Sequence, residues 1–397
     1  MSERFVLRDE VFGGTLYDRR LLRHTFLTRG EIERGIRSNG DVVENYEHWQ
    51  AETGNLPKDI IYSPVRVYFE ATKMCNLQCK HCFNSSGSRD KDELTTQEVF
   101  ESLRGMRQNH VFDVRFTGGE FTLRPDWFEI LALAKELGFA VSLNTNCVYR
   151  DKSVIDRLAE LNLDQVTTSI DGSRERHDDI IGEGNYDRTM ETLKELHRRG
   201  VVLRTNTVLT GENDDDMENV IQSVGEYISE MNFFHMRLTG RAKEIQDGAI
   251  TYNRLRQFND RAIDIVRRYP DINIMFGSYV ARINSIRMNE LGLKIGGPDG
   301  FTRFNLTPDG SMYAGGYAPY IDSKLKLGNI KEESYSMLNV WRYSEKLNEF
   351  RGFSNEVVAR CLSCPELLVH CGGMNVEMEL IKLNSIQGKN PYCIMFG

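Results

Sequence analysis

From Val65 onward, short apolar segments alternate with longer segments whose apolar residues recur at helical spacing. This repetition predicts strand-helix units that build a parallel sheet covered by helices. Strands are predicted near residues 65–70, 114–116, 140–143, 166–170, 201–209 and 233–238. Helices are predicted from about residue 96 and near residues 127–137, 154–161, 186–199, 217–228 and 252–269. A closed barrel of this type needs about eight units, so these six predict an α/β fold with a partial (β/α)6 TIM-type barrel.

The two ends of the chain have different patterns. Residues 1–60 suggest a hairpin around residues 12–18 and a charged helix near residues 29–38. Two Pro-Asp-Gly turns follow residue 296, within a glycine-rich stretch that marks a change of architecture. We therefore predict an N-terminal extension (1–60), a barrel (61–295) and a small C-terminal domain (296–397).

Composition narrows the class of protein. The 397 residues carry a net charge of −8, which argues against the basic surface that nucleic-acid binding requires. No apolar run of about 18 residues and no signal peptide is seen, so a cytoplasmic protein without a membrane partner is expected. Cysteines in that compartment stay reduced, and clustered ones are expected to bind metal.

Three cysteines lie on one short segment that follows the first predicted barrel strand. Cys75, Cys79 and Cys82 provide three thiolates, whereas a four-iron cluster ordinarily takes four. One iron would stay open for a small chelating ligand. A zinc site completed by His81 or a distant residue is the alternative. The segment Thr-Lys-Met-Cys-Asn-Leu-Gln-Cys-Lys-His-Cys-Phe resembles the defining motif of the radical S-adenosylmethionine (SAM) superfamily.

Further motifs follow in the order that this resemblance implies. The Gly118-Gly119-Glu120 turn is similar to the family motif that approaches the ligand and accepts from its ammonium group. Ser169-Ile-Asp171 resembles the segment that meets the ribose hydroxyls. The resemblance also implies SAM contacts from further residues, with ordinary barrel packing as the alternative: His81, Asn144, Arg204 and Asn206. One family arginine is absent, because the chain reads His-Asp-Asp-Ile-Ile-Gly at residues 177–182.

Four more cysteines lie close together near the C-terminus: Cys361, Cys364, Cys371 and Cys393. Four thiolates suit a closed iron-sulfur cluster, and also zinc. With the preceding segments at residues 306–313 and 327–330, the order resembles the SPASM domain, which usually holds two auxiliary clusters. Ala314, Gly315 and Asn375 stand where the other cluster's cysteines are expected, so we predict one auxiliary cluster, as in the shorter twitch-type domains.

The resemblance implies reductive cleavage of SAM to a 5′-deoxyadenosyl radical that abstracts a hydrogen atom from the substrate. A ribosomally made precursor peptide is the favoured substrate, and the N-terminal extension resembles part of a peptide-recognition domain. The alternatives are dehydrogenation or epimerisation of a small sugar-like or antibiotic intermediate, and a non-catalytic electron relay or redox sensor. A flavodoxin or ferredoxin reductant is implied. Cys147, after the third strand, is a candidate hydrogen donor, with a small packing residue as the alternative.

Overall fold

The computed structural model describes residues 3–54, 56–276, 287–294 and 297–362. The predicted α/β fold is confirmed, with a parallel sheet whose strands are joined by helices. The parallel strands in chain order are β7 (Arg66–Glu70), β8 (Asp113–Thr117), β9 (Ala140–Asn144), β10 (Gln165–Ser169), β11 (Leu203–Leu209), β12 (Glu230–His235) and β13 (Asn273–Phe276).

Helices follow these strands on the outer face of the sheet. They are α2 (Thr96–Gln108), α3 (Trp127–Glu136), α4 (Ser153–Glu160), α5 (Arg174–Ile181), α6 (Asn185–Arg198), α7 (Met217–Val224) and α8 (Tyr252–Arg268). Helix α2 starts where the sequence permits a reciprocal cap, because Thr95 accepts from the Glu98 N–H and Glu98 accepts from the Thr95 N–H. No helix in the described part of the chain is long and apolar enough to cross a membrane.

The sheet is longer than the six predicted strands. Strand β13 pairs with β12, and at the opposite edge β14 (Arg303–Leu306) pairs in parallel with β7. Strands β15 (Ser311–Tyr313) and β16 (Gly328–Asn329) continue the sheet antiparallel. The same sheet therefore runs through the predicted barrel and into the predicted C-terminal domain.

The two faces of the sheet differ in polarity. Residues that face the helices are apolar and buried, for example Val67, Phe69, Val114 and Phe116 at 0% exposure. The alternate positions carry polar or charged groups, and several of these are partly exposed although their strands lie in the middle of the sheet: Arg66, Tyr68, Thr117, Asn144, Ser169, Asn206 and Asn232. We call this the inner face. It is polar and partly exposed to solvent, unlike the apolar interior that usually fills a closed barrel.

A separate N-terminal sheet has the strand order β3-β2-β1-β6. Its elements, with the small hairpin nearby, are β1 (Phe5–Glu10), β2 (Gly13–Asp18), β3 (Arg23–Thr28), α1 (Arg29–Glu33), β4 (Arg37–Ser38), β5 (Asp41–Val42) and β6 (Glu47–Trp49). The predicted hairpin is therefore present as β1 and β2, and the charged helix is shorter than predicted.

The N-terminal sheet packs against the amino-terminal end of β8. The rings of Tyr17 and Trp49 stack on Phe112 at centroid distances of 5.2 and 5.0 Å. The Tyr17 hydroxyl donates to Asp113 Oδ2 at 2.7 Å. Because Tyr17, Phe26 and Trp49 belong to the same apolar core as the barrel, the N-terminal sheet shares part of its core with the barrel.

The described C-terminal helices are α9 (Ala318–Ile321), α10 (Leu338–Tyr343) and α11 (Glu345–Leu362). Trp341 of α10 is fully buried, and its indole N–H donates to the Ile61 carbonyl at 3.0 Å. This contact joins the C-terminal region to the segment that leads into β7.

We expect Trp49→Ala to lower the free energy of unfolding by roughly 3–5 kcal/mol, because it removes a large buried ring from the contact between the N-terminal sheet and the barrel. Tyr46→Ala is the matched control, since Tyr46 is 37% exposed. Denaturant unfolding followed by circular dichroism measures both variants. Equal stability of the two would contradict a shared core.

Candidate active site

The three predicted cluster cysteines lie on the loop between β7 and α2, at the carboxyl end of the sheet. Backbone hydrogen bonds hold this loop in a compact shape: Cys75 N–H donates to the Gly87 carbonyl at 2.8 Å, and Cys82 N–H donates to the Cys79 carbonyl at 3.2 Å. Active sites of parallel α/β folds gather at this end of the strands.

The thiols have an apolar environment. Cys75 and Cys79 pack against a small cluster formed by Leu77, Val148, Ile180 and Ile181. Burial, and then the neighbouring Cys82 and Cys75 thiols, raise the pKa of Cys79 to about 12. The free Cys79 thiol is therefore held neutral, and a bound metal would be needed to keep it as a thiolate.

The three cysteines fit the ligand set of an iron-sulfur cluster with one open iron. Three thiols grouped on one loop and shielded by apolar side chains suit a cluster that takes one thiolate at each of three corners. The residues that would hold it are Cys75, Cys79 and Cys82.

The Gly-Gly-Glu turn lies directly against the cysteine loop. Gly119 N–H donates to the Thr72 carbonyl at 2.8 Å, and Glu120 N–H donates to the Met74 carbonyl at 2.7 Å. A Cβ on Gly118 would come within 2.3 Å of the Thr72 oxygen, and one on Gly119 within 2.2 Å of the Met74 oxygen. The glycines therefore permit the turn to approach the cysteine loop. Their predicted close approach to the ligand stays a prediction.

Glu120 is fully buried, and all its acceptor positions are taken. Oε1 accepts from the Thr122 N–H and hydroxyl at 3.2 and 2.7 Å, and Oε2 accepts from the Thr145 hydroxyl and the Asn146 N–H at 2.9 and 2.8 Å. Burial raises its pKa above the ordinary value. In this structure Glu120 joins the turn to the loop after β9. Its predicted acceptance from the ammonium group of SAM stays a prediction.

Two residues from the predicted SAM set contact each other. His81 Nε2 lies 3.1 Å from Asp171 Oδ2, while Asp171 Oδ1 accepts from the Val208 N–H at 2.8 Å. Asp171 N–H donates to His177 Nδ1 at 3.1 Å. Burial opposes the charge, but the His81 and His177 rings hold the pKa of Asp171 below its ordinary value. Asp171, which follows β10, thus links His81 of the cysteine loop to the carboxyl end of β11.

The remaining predicted SAM contacts lie on the inner face, but at two depths. Ser169 is in register with Asn206, and the side-chain oxygens of Asn144 and Asn206 are buried without a hydrogen-bond partner. Those amides are free to meet a ligand. Arg204 lies two residues earlier on β11 and already pairs with Glu230 at 2.9 Å. Burial, and then the neighbouring charge of Arg115, lower its pKa to about 10.

Cys147 has 0% exposure and belongs to the main apolar core. Its N–H donates to the Thr145 hydroxyl at 3.1 Å, and burial raises the pKa of its thiol to about 12. This position favours the packing role over the predicted role as a hydrogen donor.

Two residues that the sequence interpretation missed hold the loop. Asn84 accepts from the Cys82 thiol at 3.0 Å and donates to the Gly118 carbonyl at 3.3 Å. Arg241 donates to the carbonyls of Cys79 and Ser86 at 2.9 and 2.8 Å. The only signal for Arg241 was its place after β12, at the carboxyl end of the sheet.

The predicted auxiliary-cluster cysteines are largely beyond the described residues. Cys361 is on the last turn of α11, whereas Cys364, Cys371 and Cys393 lie outside the described residues. The prediction that these four bind one cluster stays a prediction. Ala314, which stands where a cysteine of the other cluster was expected, is 3% exposed beside β15.

Glu120→Gln replaces an acceptor by an amide N–H₂ that faces the existing donors. We expect this variant to be destabilised by about 2–4 kcal/mol and to bind SAM about tenfold more weakly, because the turn and the loop after β9 lose their common partner. Thermal unfolding and anaerobic equilibrium dialysis measure the two effects. Glu129→Gln, an exposed change on α3, is the control. Weaker SAM binding at unchanged stability would instead indicate direct contact between Glu120 and SAM.

Cys147 is expected to resist alkylation by iodoacetamide at pH 8 in the folded protein. With a pKa of about 12, only on the order of one thiol in ten thousand is ionised at that pH, and the sulfur is buried. Mass spectrometry of the cluster-loaded protein measures the labelling, and labelling in guanidinium chloride is the positive control. Rapid labelling in the folded state would show that the thiol opens to the site.

Comparison with known proteins agrees with this geometry. The family model for the radical SAM superfamily matches residues 69–224, and the model for the SPASM iron-sulfur cluster-binding domain matches residues 298–365. The mycofactocin maturase MftC of Mycolicibacterium smegmatis is 27% identical over 345 residues, which are 84% of this chain and 83% of that protein. The Fe-coproporphyrin III synthase of Methanosarcina barkeri is 24% identical over 83% of this chain and 87% of that protein.

Among solved structures, Streptococcus suis SuiB bound to S-adenosylmethionine has the same fold. It superposes with a TM-score of 0.73 at 20% identity and covers 95% of this chain and 96% of its own. The cysteine loop and the Gly-Gly-Glu turn lie within the first of the two family matches, and Cys361 and Cys364 lie within the second. The chain is therefore a radical SAM superfamily enzyme with a C-terminal SPASM domain, and it uses a four-iron four-sulfur cluster, SAM and auxiliary iron-sulfur chemistry.

Proposed function

We propose that this enzyme modifies a ribosomally made peptide by crosslinking, epimerisation or oxidation. The observation that carries the proposal is the similarity to the mycofactocin maturase over more than four-fifths of both chains. SuiB, which shares the fold over 95% of this chain, has also been solved with its precursor peptide SuiA. A precursor peptide is accordingly the proposed partner of this chain.

The partly exposed, polar inner face is consistent with a substrate that enters the barrel from its carboxyl end. Thr117, Asn144, Ser169 and Asn206 are partly exposed there, close to the cysteine loop. Polar groups at this depth can bind an extended chain that offers its own N–H and C=O groups. We propose that Asn144 and Asn206, whose side-chain oxygens have no partner, orient SAM or the peptide backbone at this level.

When bound, the cluster and SAM supply the adenosyl radical that removes a hydrogen atom from the substrate. The residues of this chain position the components. Cys75, Cys79 and Cys82 are proposed to hold the cluster, Asn84 and Arg241 hold the loop, and the apolar side chains around Cys75 and Cys79 exclude water. A flavodoxin or ferredoxin is the proposed electron donor.

A second candidate substrate is a small tetrapyrrole. It is favoured by the similarity to the Fe-coproporphyrin III synthase over 83% of this chain.

Cys79→Ala is expected to abolish 5′-deoxyadenosine formation, because it removes one of three cluster thiolates. The assay is anaerobic incubation with SAM and dithionite, followed by chromatography. Cys147→Ala is the matched control, since it removes a thiol from the core and leaves the loop intact. Retained 5′-deoxyadenosine formation in Cys79→Ala would contradict the assignment of that loop to the cluster.

The substrate class is tested in the same assay with two kinds of addition, a display library of short peptides and coproporphyrin III. The proposal expects peptides to stimulate 5′-deoxyadenosine release and to change mass. Stimulation by the tetrapyrrole alone would favour the second candidate.

A further inference from the structure

Arg115 lies in the middle of β8 on the inner face and is only 4% exposed. Its Nη2 donates to the Gln165 side-chain oxygen at 3.1 Å, and its Nη1 lies 3.4 Å from the Tyr68 hydroxyl. Its Nε is buried without a hydrogen-bond partner. A buried guanidinium with no carboxylate partner is costly, because its charge loses the solvation of water without an ion pair in return.

The other arginines near it are each paired with a carboxylate. Arg66 pairs with Asp113 at 2.5 Å and Arg204 with Glu230 at 2.9 Å, and Arg303 pairs with Asp299. Within the described ranges, no carboxylate lies within salt-bridge distance of Arg115. The inner face at this depth therefore carries one more positive charge than these pairs balance.

The pKa of Tyr68 shows the effect of these positive charges. Its ring has the Arg115 guanidinium carbon 5.6 Å from its centroid and the Arg303 guanidinium carbon 5.2 Å from it. Burial alone would raise its pKa, yet Arg115 and then Arg66, Arg303 and Arg204 bring the pKa of Tyr68 down to about 7. Four positive groups thus favour an anion at this position.

The position is open to a ligand. Tyr68 and Arg303 are partly exposed, whereas Val67 and Phe69, the neighbours of Tyr68 along the same strand, are fully buried. The exposed area therefore belongs to the inner face, which continues toward the carboxyl ends of the strands, to Asn144 of β9 and Asn206 of β11. A group that enters at the cysteine loop can extend down this face to Arg115.

We propose that Arg115, with Tyr68, Gln165 and Arg303 around it, binds a carboxylate of the substrate peptide. We call these four residues the Arg115 site. The inference rests on the proposed peptide substrate and names the chemistry by which it is held. The carboxylate is an Asp or Glu side chain or the peptide C-terminus, and both present two oxygens that match the fork of a guanidinium.

The test measures binding of three capped dipeptides to the anaerobic, cluster-loaded enzyme with SAM present, using ligand-observed NMR. Acetyl-Ala-Glu-amide carries a side-chain carboxylate, acetyl-Ala-Ala carries a terminal carboxylate, and acetyl-Ala-Gln-amide is neutral. We expect at least one carboxylate probe to bind about tenfold more tightly than the neutral one, which is the usual size of a charge-assisted hydrogen bond. The probe that binds more tightly identifies the source of the carboxylate.

Variants of the Arg115 site show whether the preference for a carboxylate probe arises there. Arg115→Gln should abolish it and Arg115→Lys should keep part of it, whereas Arg104→Gln, which removes an exposed charge on α2, should leave it unchanged. Tyr68→Phe keeps the ring but removes the hydroxyl next to Arg115. Because that hydroxyl competes with a ligand carboxylate for the guanidinium, this variant should strengthen the preference for the carboxylate probe. A merely structural role of Arg115 would not produce this opposite effect, and Tyr68→Phe also serves if Arg115→Gln fails to fold.

Two outcomes overturn the proposal. One is equal binding of the charged and neutral probes. The other is weaker SAM binding in Arg115→Gln with the probe preference unchanged, which would assign the guanidinium to the SAM carboxylate. Peptide-stimulated 5′-deoxyadenosine release is measured separately, so a peptide that is modified without any carboxylate preference refutes the Arg115 site and leaves the proposed function standing.

Discussion

The structure depends on keeping a polar inner face inside a sheet whose outer face is tightly packed. Arg66, Arg115 and Arg204 face inward from central strands, where each charge must be paired or reach water. Asp113 pairs with Arg66 and Glu230 with Arg204, which provides part of this compensation. Arg115 has hydrogen bonds to Gln165 and Tyr68 instead. A barrel filled by apolar side chains would have no room for either SAM or a substrate.

This constraint explains the position of the N-terminal sheet. Tyr17 donates to Asp113, and Asp113 also pairs with Arg66, so the sheet completes a buried network at the amino-terminal end of the strands. Trp49 stacks on Phe112 in the same contact. With this end packed, the inner face is reached from the carboxyl end, where the cysteine loop lies.

The cysteine loop is itself shaped by contacts from distant parts of the chain. The glycine turn after β8 bonds its backbone, Asp171 after β10 holds His81, and Arg241 after β12 holds two of its carbonyls. Three strand ends thus position one loop. A cluster bound there would be oriented by the sheet, because the short-range sequence around the cysteines provides only part of these contacts.

The sequence alone determined the class of this protein. Strand-helix periodicity, three cysteines at their spacing and the Gly-Gly-Glu turn are local patterns, and the local chemistry of each points to the same fold and cofactors. The side-chain partners were decided only by the tertiary structure. The Gly-Gly-Glu motif does not show which groups the Glu120 carboxylate contacts, whereas the fold gives it four hydrogen bonds. Likewise, the lack of a carboxylate beside Arg115 becomes visible only when β7, β8 and β10 lie together. Hydrogen bonds and burial join residues far apart in the chain, so the pattern of a single segment cannot specify them.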